Sequence, residues 1–173
     1  MISALVFIAD PRDADAIDCL ADSLGTLVAG VAAGLVGDAV IVAGGPSDAV
    51  ETIADATGAA LVVLRRGANP WAAGAAAARR DWVLCLEAGD VPGEGWVRTL
   101  DRFVGTARAE TRLGRLRRPH AGLALRILVR CEAVIGARRA RAGDLVRCDR
   151  LTADGVFSPR LRPRRLIARI DRA

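Results

Sequence analysis

Lysine is absent from these 173 residues, and histidine occurs once, as His120. The first absence excludes a Walker-type phosphate loop, a Schiff-base lysine and any other chemistry that needs an amine side chain. The second leaves a Ser–His or Cys–His nucleophilic pair a single available partner, which argues against hydrolase chemistry. Cys19, Cys85, Cys131 and Cys148 are scattered, with no Cys-x-x-Cys pair and no adjacent histidine, so a zinc-ligand set is excluded and buried free thiols are expected. Aromatics are few: Trp71, Trp82, Trp96, Phe7, Phe103 and Phe157. The core must therefore be assembled from many small Ala, Val and Leu side chains. The apolar run Ile2–Ala9 is too short to span a membrane, and the N-terminus lacks the basic start of a secretory signal, which predicts a cytoplasmic chain. No Gly-x-Gly-x-x-Gly follows that run, which disfavours a dinucleotide enzyme.

What is present in excess is arginine. Residues 1–97 carry 5 Arg against 13 acids and residues 98–173 carry 20 Arg against 7, so the halves differ in sign, about −8 against +13, within a net charge of +5. Such a split predicts that the second half meets something anionic, whether a phosphate, a membrane surface, nucleic acid or an acidic partner; a solvated face on an arginine-rich chain is the plainer alternative. Nucleic acid is disfavoured, because Phe157 is the one aromatic after Phe103 and single-strand binders stack bases on aromatic platforms.

The apolar pattern of the first half alternates between strand and helix. Ile2–Ala9 reads as a buried parallel strand closed by Asp10-Pro11. Asp13 to Gly34 spaces Ile17, Leu20, Leu24, Val28 and Val31 along one helix face, with Asp13 and Asp15 at its positive end. Ala39–Ala43 is a second strand closed by Gly44-Gly45-Pro46; Ser47 caps a helix over Asp48–Thr57 that Gly58 ends. Ala59–Leu64 is a third strand, Arg65-Arg66-Gly67 a turn, Ala72–Arg80 a small-residue helix, and Trp82–Leu86 a fourth strand leading into Glu87-Ala88-Gly89-Asp90. Connections this short predict an open α/β sheet whose ligand sits beyond the carboxyl ends of the strands, among the turns at Asp10, Gly44-Gly45, Arg66 and Glu87–Asp90. After Pro92 a helix presents Trp96, Val97, Leu100, Phe103 and Val104. Beyond it the pattern predicts a loop over Thr111–Pro119, a strand over Gly122–Arg130, helix over Cys131–Ala137, and a basic tail at Arg160–Arg172 whose Leu166, Ile167 and Ile170 line a short helix suited to an anionic membrane surface.

Two stretches point further. Arg66–Pro92 places a glycine- and alanine-rich helix before a strand ending in Glu87-Ala88-Gly89-Asp90, and Val42-Ala43-Gly44-Gly45-Pro46-Ser47-Asp48 forms a glycine turn after the second strand. In that order and spacing they resemble the family-two glycosyltransferases, the first an Asp-x-Asp strand end and the second a Val-Asp-Gly-Gly-Ser-x-Asp turn. The resemblance covers about residues 1–105. It implies a GT-A fold, an open and mostly parallel α/β sheet flanked by helices, here with a basic C-terminal extension. Residues 1–105 would form the nucleotide-sugar-binding half and residues 106–173 the acceptor side of the same domain.

The resemblance also implies a nucleotide-diphosphate sugar donor and an acceptor hydroxyl, on a glycan or a lipid-linked acceptor at the inner face of a membrane. Asp10, Gly44, Gly45, Arg66, Glu87 and Asp90 would bind the donor. Glu87 and Asp90 would hold a divalent metal, Mn or Mg, and Asp144 in Gly143-Asp144-Leu145 would take the proton from the acceptor. The sequence departs from the family where Ala43 and Gly89 stand in place of carboxylates. Arg65, Arg66 or arginines of the basic half are therefore candidates to grip the diphosphate instead of a metal, since guanidinium binds phosphate oxygens in a bidentate way. The rival reading is a binding or scaffolding protein that keeps the fold without turnover.

Overall fold

The computed structural model describes residues 1–107, 113–119 and 122–173. His120 lies outside the described residues, as do Thr111 and Arg112 of the expected loop. Ile2–Ile8 (β1) is a strand buried along nearly its whole length, because both of its faces are covered. Its side chains alternate. Ala4, Val6 and Ile8 enter one core with Leu20, Leu24, Leu27, Trp96, Leu100 and Phe103, while Leu5 enters a second core with Val42, Trp71, Val83 and Cys85.

Helix α1 (Ala14–Ala32) covers the first face. Its buried line runs through Leu20, Leu24, Leu27 and Gly30, and Val28 and Val31, expected inward, are exposed. The reason is a neighbour: a Cβ at Gly30 would stand 2.4 Å from the Trp96 ring, so the face carrying Gly30 must turn to the indole. Strand β2 (Val36–Ala43) and helix α2 (Asp48–Thr57) follow, with the Ser47 hydroxyl accepting from the Val50 N–H at 3.5 Å and Gly58 closing the helix at φ 70°. After β3 (Ala60–Val63), α3 (Pro70–Ala77) lies on the second face, where a Cβ at Gly74 would stand 2.9 Å from Val42. Its small side chains are what let helix and sheet approach so closely. Trp71 at its start meets Phe7 edge to face, centroids 6.0 Å apart.

Strand β4 (Trp82–Glu87) completes a parallel set in the order β3-β2-β1-β4. The short strand β5 (Asp90–Pro92) and α4 (Trp96–Thr106) come next, α4 joining the first core through Trp96, Leu100 and Phe103. The remaining elements are β6 (Leu113–Arg117), α5 (Leu123–Ile135), β7 (Ala137–Arg139), β8 (Asp144–Arg147), β9 (Val156–Leu161) and β10 (Arg164–Arg172). The main sheet has the order β3-β2-β1-β4-β8-β6-β10-β5, so strands from the basic half extend the sheet begun by the acidic half; β7 and β9 pair separately. The expected α/β architecture, mostly parallel and flanked by helices, is what the chain forms.

Three expectations for the second half fail, each for a physical reason. Leu113–Arg117 is a strand and not loop, because Arg115 in its middle is buried beside carboxylates, so a charge masks a core position. Gly122–Arg130 is not a strand. The alternating Leu125, Ile127 and Val129 belong to a 13-residue helix that takes in the expected helical stretch after Cys131 and ends at Gly136, where φ is 83°. The tail is strand β10 and not a helix. Leu166, Ala168 and Ile170 are buried at every second position, whereas Ile167, read as part of an apolar helix face, is 87% exposed. No helix among the described residues is long and apolar enough to cross a membrane. Of the four free thiols, Cys85 is buried, Cys19 and Cys148 half-buried, and Cys131 exposed on α5.

Candidate functional site

The carboxyl ends of the parallel strands are bonded across to the turns that follow them. The Ile8 carbonyl accepts from the Gly44 N–H at 2.9 Å, Ala43 from Leu64 at 2.8 Å, and Phe7 from Ala88 at 2.8 Å. The tips therefore stay together rather than splaying. Asp10 is exposed just past β1, folded back so that its carboxylate accepts from the Arg12 N–H at 3.2 Å. Gly44 lies against β1, where a Cβ would meet the Ala9 carbonyl oxygen at 2.3 Å; Gly45 has open space around it. Arg66 is exposed in the turn after β3.

Beside the β4 tip opens a cleft of about 710 Å³, lined by Glu87 and Trp71 from the first half and by six arginines, Arg115, Arg117, Arg118, Arg130, Arg141 and Arg165, from the second. Of the residues expected to form the site, Glu87 alone lines this cleft. Asp90 and Asp144 lie behind it; Asp10, Gly44, Gly45 and Arg66 lie along the strand tips.

Glu87 and Asp90 are each met by a guanidinium. Glu87, half-buried, accepts from Arg172 Nη1 at 3.2 Å. Asp90 is fully buried, with Oδ2 accepting from the Glu87 N–H at 2.8 Å and from Arg118 Nη2, while its Oδ1 has no partner among the described residues. Between them Gly89 sits at φ 88°, and its N–H is shared by the Cys19 carbonyl at 3.0 Å and the Ser23 hydroxyl at 2.9 Å. Left-handed backbone held this close to α1 favours glycine, which is why Gly89 stands where the expected Asp-x-Asp motif has its second carboxylate.

Burial pushes the Asp90 carboxyl above its ordinary 3.8, and Arg118 and the Glu87 N–H pull it back without cancelling that push. As pH rises past 3.8, the unfolded chain loses this proton before the folded one does. The group's contribution to stability therefore declines through the window above 3.8. Asp90→Asn cannot titrate there. Melting temperatures measured from pH 4 upward should show the parent chain losing stability relative to Asp90→Asn as pH climbs.

Asp144 opens β8 and is fully buried. Strand register puts it opposite Arg115 of β6, whose Nε and Nη2 grip its two oxygens at 2.6 and 2.9 Å. The Arg141 N–H adds a third bond to Oδ2 at 3.0 Å. Asp144, expected to take the acceptor's proton, is thus an internal carboxylate without an oxygen free in this arrangement. The sequence reading missed Glu132 of α5, buried between Arg115 Nη1 at 2.5 Å and Arg141 Nη2 at 2.7 Å. Burial opposes the charge on Arg115, but Asp144 and Glu132 outweigh it and raise the guanidinium's pKa. Burial pushes Asp144 upward against the pull of Arg115, and the bidentate geometry is that of two ions. This network ties β6, β8 and α5 into the cleft's floor. Arg117, Arg130 and Arg165 line the cleft with exposed side chains and no carboxylate partner among the described residues.

The residues present do not form a ready metal site. Among the described residues no group of three or more His, Cys, Asp or Glu side chains could hold an ion together.

No protein-family model matches the chain, and no curated protein matches it by sequence. Solved structures do. The chain is similar to glucosyl-3-phosphoglycerate synthase from Mycobacterium tuberculosis in complex with Mn2+, uridine-diphosphate-glucose and phosphoglyceric acid, at 18% identity and a TM-score of 0.60, covering 87% of this chain and 57% of that one. The complex of that enzyme with Mn2+, uridine-diphosphate-glucose and glycerol 3-phosphate gives 20% identity and a TM-score of 0.59 over 87% and 58%. A mycobacterial protein gives 19% and 0.60 over 87% and 54%. The chain thus spans a little over half the length of the structures it matches. The likeness at this identity is one of architecture, and it agrees with strand order and core: the chain has the GT-A, Rossmann-like α/β fold.

Proposed function

We propose that this chain binds a nucleotide-diphosphate sugar along the tips of β1 to β4 and transfers the sugar to a hydroxyl of an anionic acceptor held in the arginine cleft. The observation that carries the reading is the cleft itself, which opens beside the β4 tip with six arginines and one carboxylate in its lining. The nucleoside would lie over Asp10, Gly44, Gly45 and Arg66, and the diphosphate would run toward Glu87. Residues 106–173 supply the acceptor side. Arg117, Arg130 and Arg165 have N–H donors free to take the phosphate or carboxylate of an acceptor. That the similar enzyme was crystallised with phosphoglyceric acid and with glycerol 3-phosphate supports an acceptor of this charge over a neutral glycan. Glu87, the carboxylate of the lining, would accept a hydrogen bond from a sugar or acceptor hydroxyl. Asp144 is a positioning residue that holds Arg115.

A second reading, a fold kept for binding without turnover, is favoured by one specific observation: both oxygens of Asp144 are engaged, so the expected acceptor base is not available as it stands.

Isothermal titration with uridine- and guanosine-diphosphate sugars and with 3-phosphoglycerate tests the proposal. Both ligand classes should bind, the acid in a salt-sensitive way, and the double replacement Arg117→Ala/Arg165→Ala should weaken the acid at least ten-fold while sparing the nucleotide. Sugar transfer to the acid would decide for the enzyme. Binding of both ligands without transfer would decide for the second reading, and binding of neither would end both.

A further inference from the structure

The turn between β4 and β5 holds two acidic side chains that each carry a guanidinium. Arg118 follows β6 and reaches the buried Asp90; Arg172 reaches Glu87 from β10, in register opposite Asp90 across the β5–β10 pair. Strand register places Arg172 directly, and the pairing of β6 with β10 brings Arg118 alongside. The Ala173 N–H also bonds the Gly89 carbonyl at 2.9 Å, fixing the end of β10 on the turn. Asp90 is further locked inward by the Glu87 N–H, and Gly89 offers no third carboxylate.

We propose that Arg118 and Arg172 stand where a divalent ion would otherwise bridge this turn to the donor, so that the chain binds a nucleoside diphosphate without metal. The assignment rests on the donor reading given above. Its charge balance is that of a metal site: two guanidiniums neutralise two carboxylates, as one divalent ion does. Each arginine has five N–H donors and spends one on its carboxylate here, which leaves donors for phosphate oxygens. Arg118 lines the cleft, and the Arg172 side chain is 61% exposed, so both reach solvent where a diphosphate would lie. An ion entering between Glu87 and Asp90 would have to displace both guanidiniums and bring a double positive charge against them. Arginine, always charged and fork-shaped, binds phosphate oxygens without the proton loss that metal ligands require.

The test is titration of uridine diphosphate and guanosine diphosphate into the intact chain, once in EDTA and once in MnCl2, read by calorimetry and by melting temperature. At least one nucleotide should bind with the same affinity in both buffers, within about two-fold. Arg172→Gln, at an exposed position, should weaken that binding several-fold. Arg118→Gln paired with Asp90→Asn, which replaces the ion pair by a neutral hydrogen-bonded one and so protects folding, should weaken it at least ten-fold. Manganese added alone should give no bound fraction by electron paramagnetic resonance at micromolar protein. Nucleotide binding that appears only with manganese would overturn the guanidinium assignment and leave the donor reading standing. Silence from every nucleoside diphosphate in both buffers would overturn the two together.

Discussion

Replacing Arg115 by methionine should destabilise the chain by about 3–5 kcal/mol, the cost of leaving a buried carboxylate without its counter-charge. In a chain of this size that is a fall in melting temperature of roughly 6–20 °C. Asp144 has no exposure to water, and all three hydrogen bonds to its carboxylate come from Arg115 and the Arg141 backbone. Urea unfolding gives the number. The double replacement Arg115→Met/Asp144→Leu separates the pair's net worth from the cost of breaking it. Because buried ion pairs are often matched by apolar side chains of similar volume, the double variant should regain most of the loss, with Glu132 still held by Arg141. Failure to regain it would show that the network stabilises the fold beyond mutual neutralisation.

Gly44→Val should cost on the order of 1–3 kcal/mol and pry β1 from β2 at their tips. A Cβ at that position would overlap a backbone carbonyl oxygen, which cannot swing aside as a flexible side chain would. The hydrogen bond from the Gly44 N–H to Ile8 would be strained at the same time. If the donor lies across these tips, a shift of about 1 Å there should lower turnover by on the order of 100-fold. Gly45→Ala is the stability control. Its Cβ enters open space, so thermal melting should change by no more than about 0.5 kcal/mol. Equal losses at the two glycines would mean that crowding against Ala9 is not what matters.

The first half of the fold was legible because its signals are local. Continuous apolar runs mark β1, β2 and β4, while Ser47 and Gly58 bound α2 on chemistry contained within a few residues. The second half was not, because its decisive interactions are long-range. Arg115 reads as surface until Asp144, 29 residues away, is placed opposite it. In the run after Gly122, an alternation of leucine, isoleucine and valine satisfies strand and helix templates alike, and the face is marked by the buried Glu132. In β10 the inward positions include Ala168, too small to weigh in a helical pattern, whereas the large Ile167 points outward.

The site divides in the same way. The turn that carries Glu87 and Asp90 was legible from its place at the end of a strand. Their partners Arg118 and Arg172 were hidden among twenty arginines of the second half, because strand register selects which of those side chains arrive. The excess positive charge of that half gathers in the cleft as six arginines, without the sequence saying which of the twenty they are.

Among the described residues strand β5 has one neighbour, β10, and the register joins Pro92 to Ile170 across a span of nearly eighty intervening residues. Closing so long a loop comes late in folding, after the nearby parallel strands have zipped together. The acidic turn is thus an unfinished edge until the last strand arrives. During synthesis on the ribosome, the sheet's first four strands would have emerged well before the turn acquired either of its arginines.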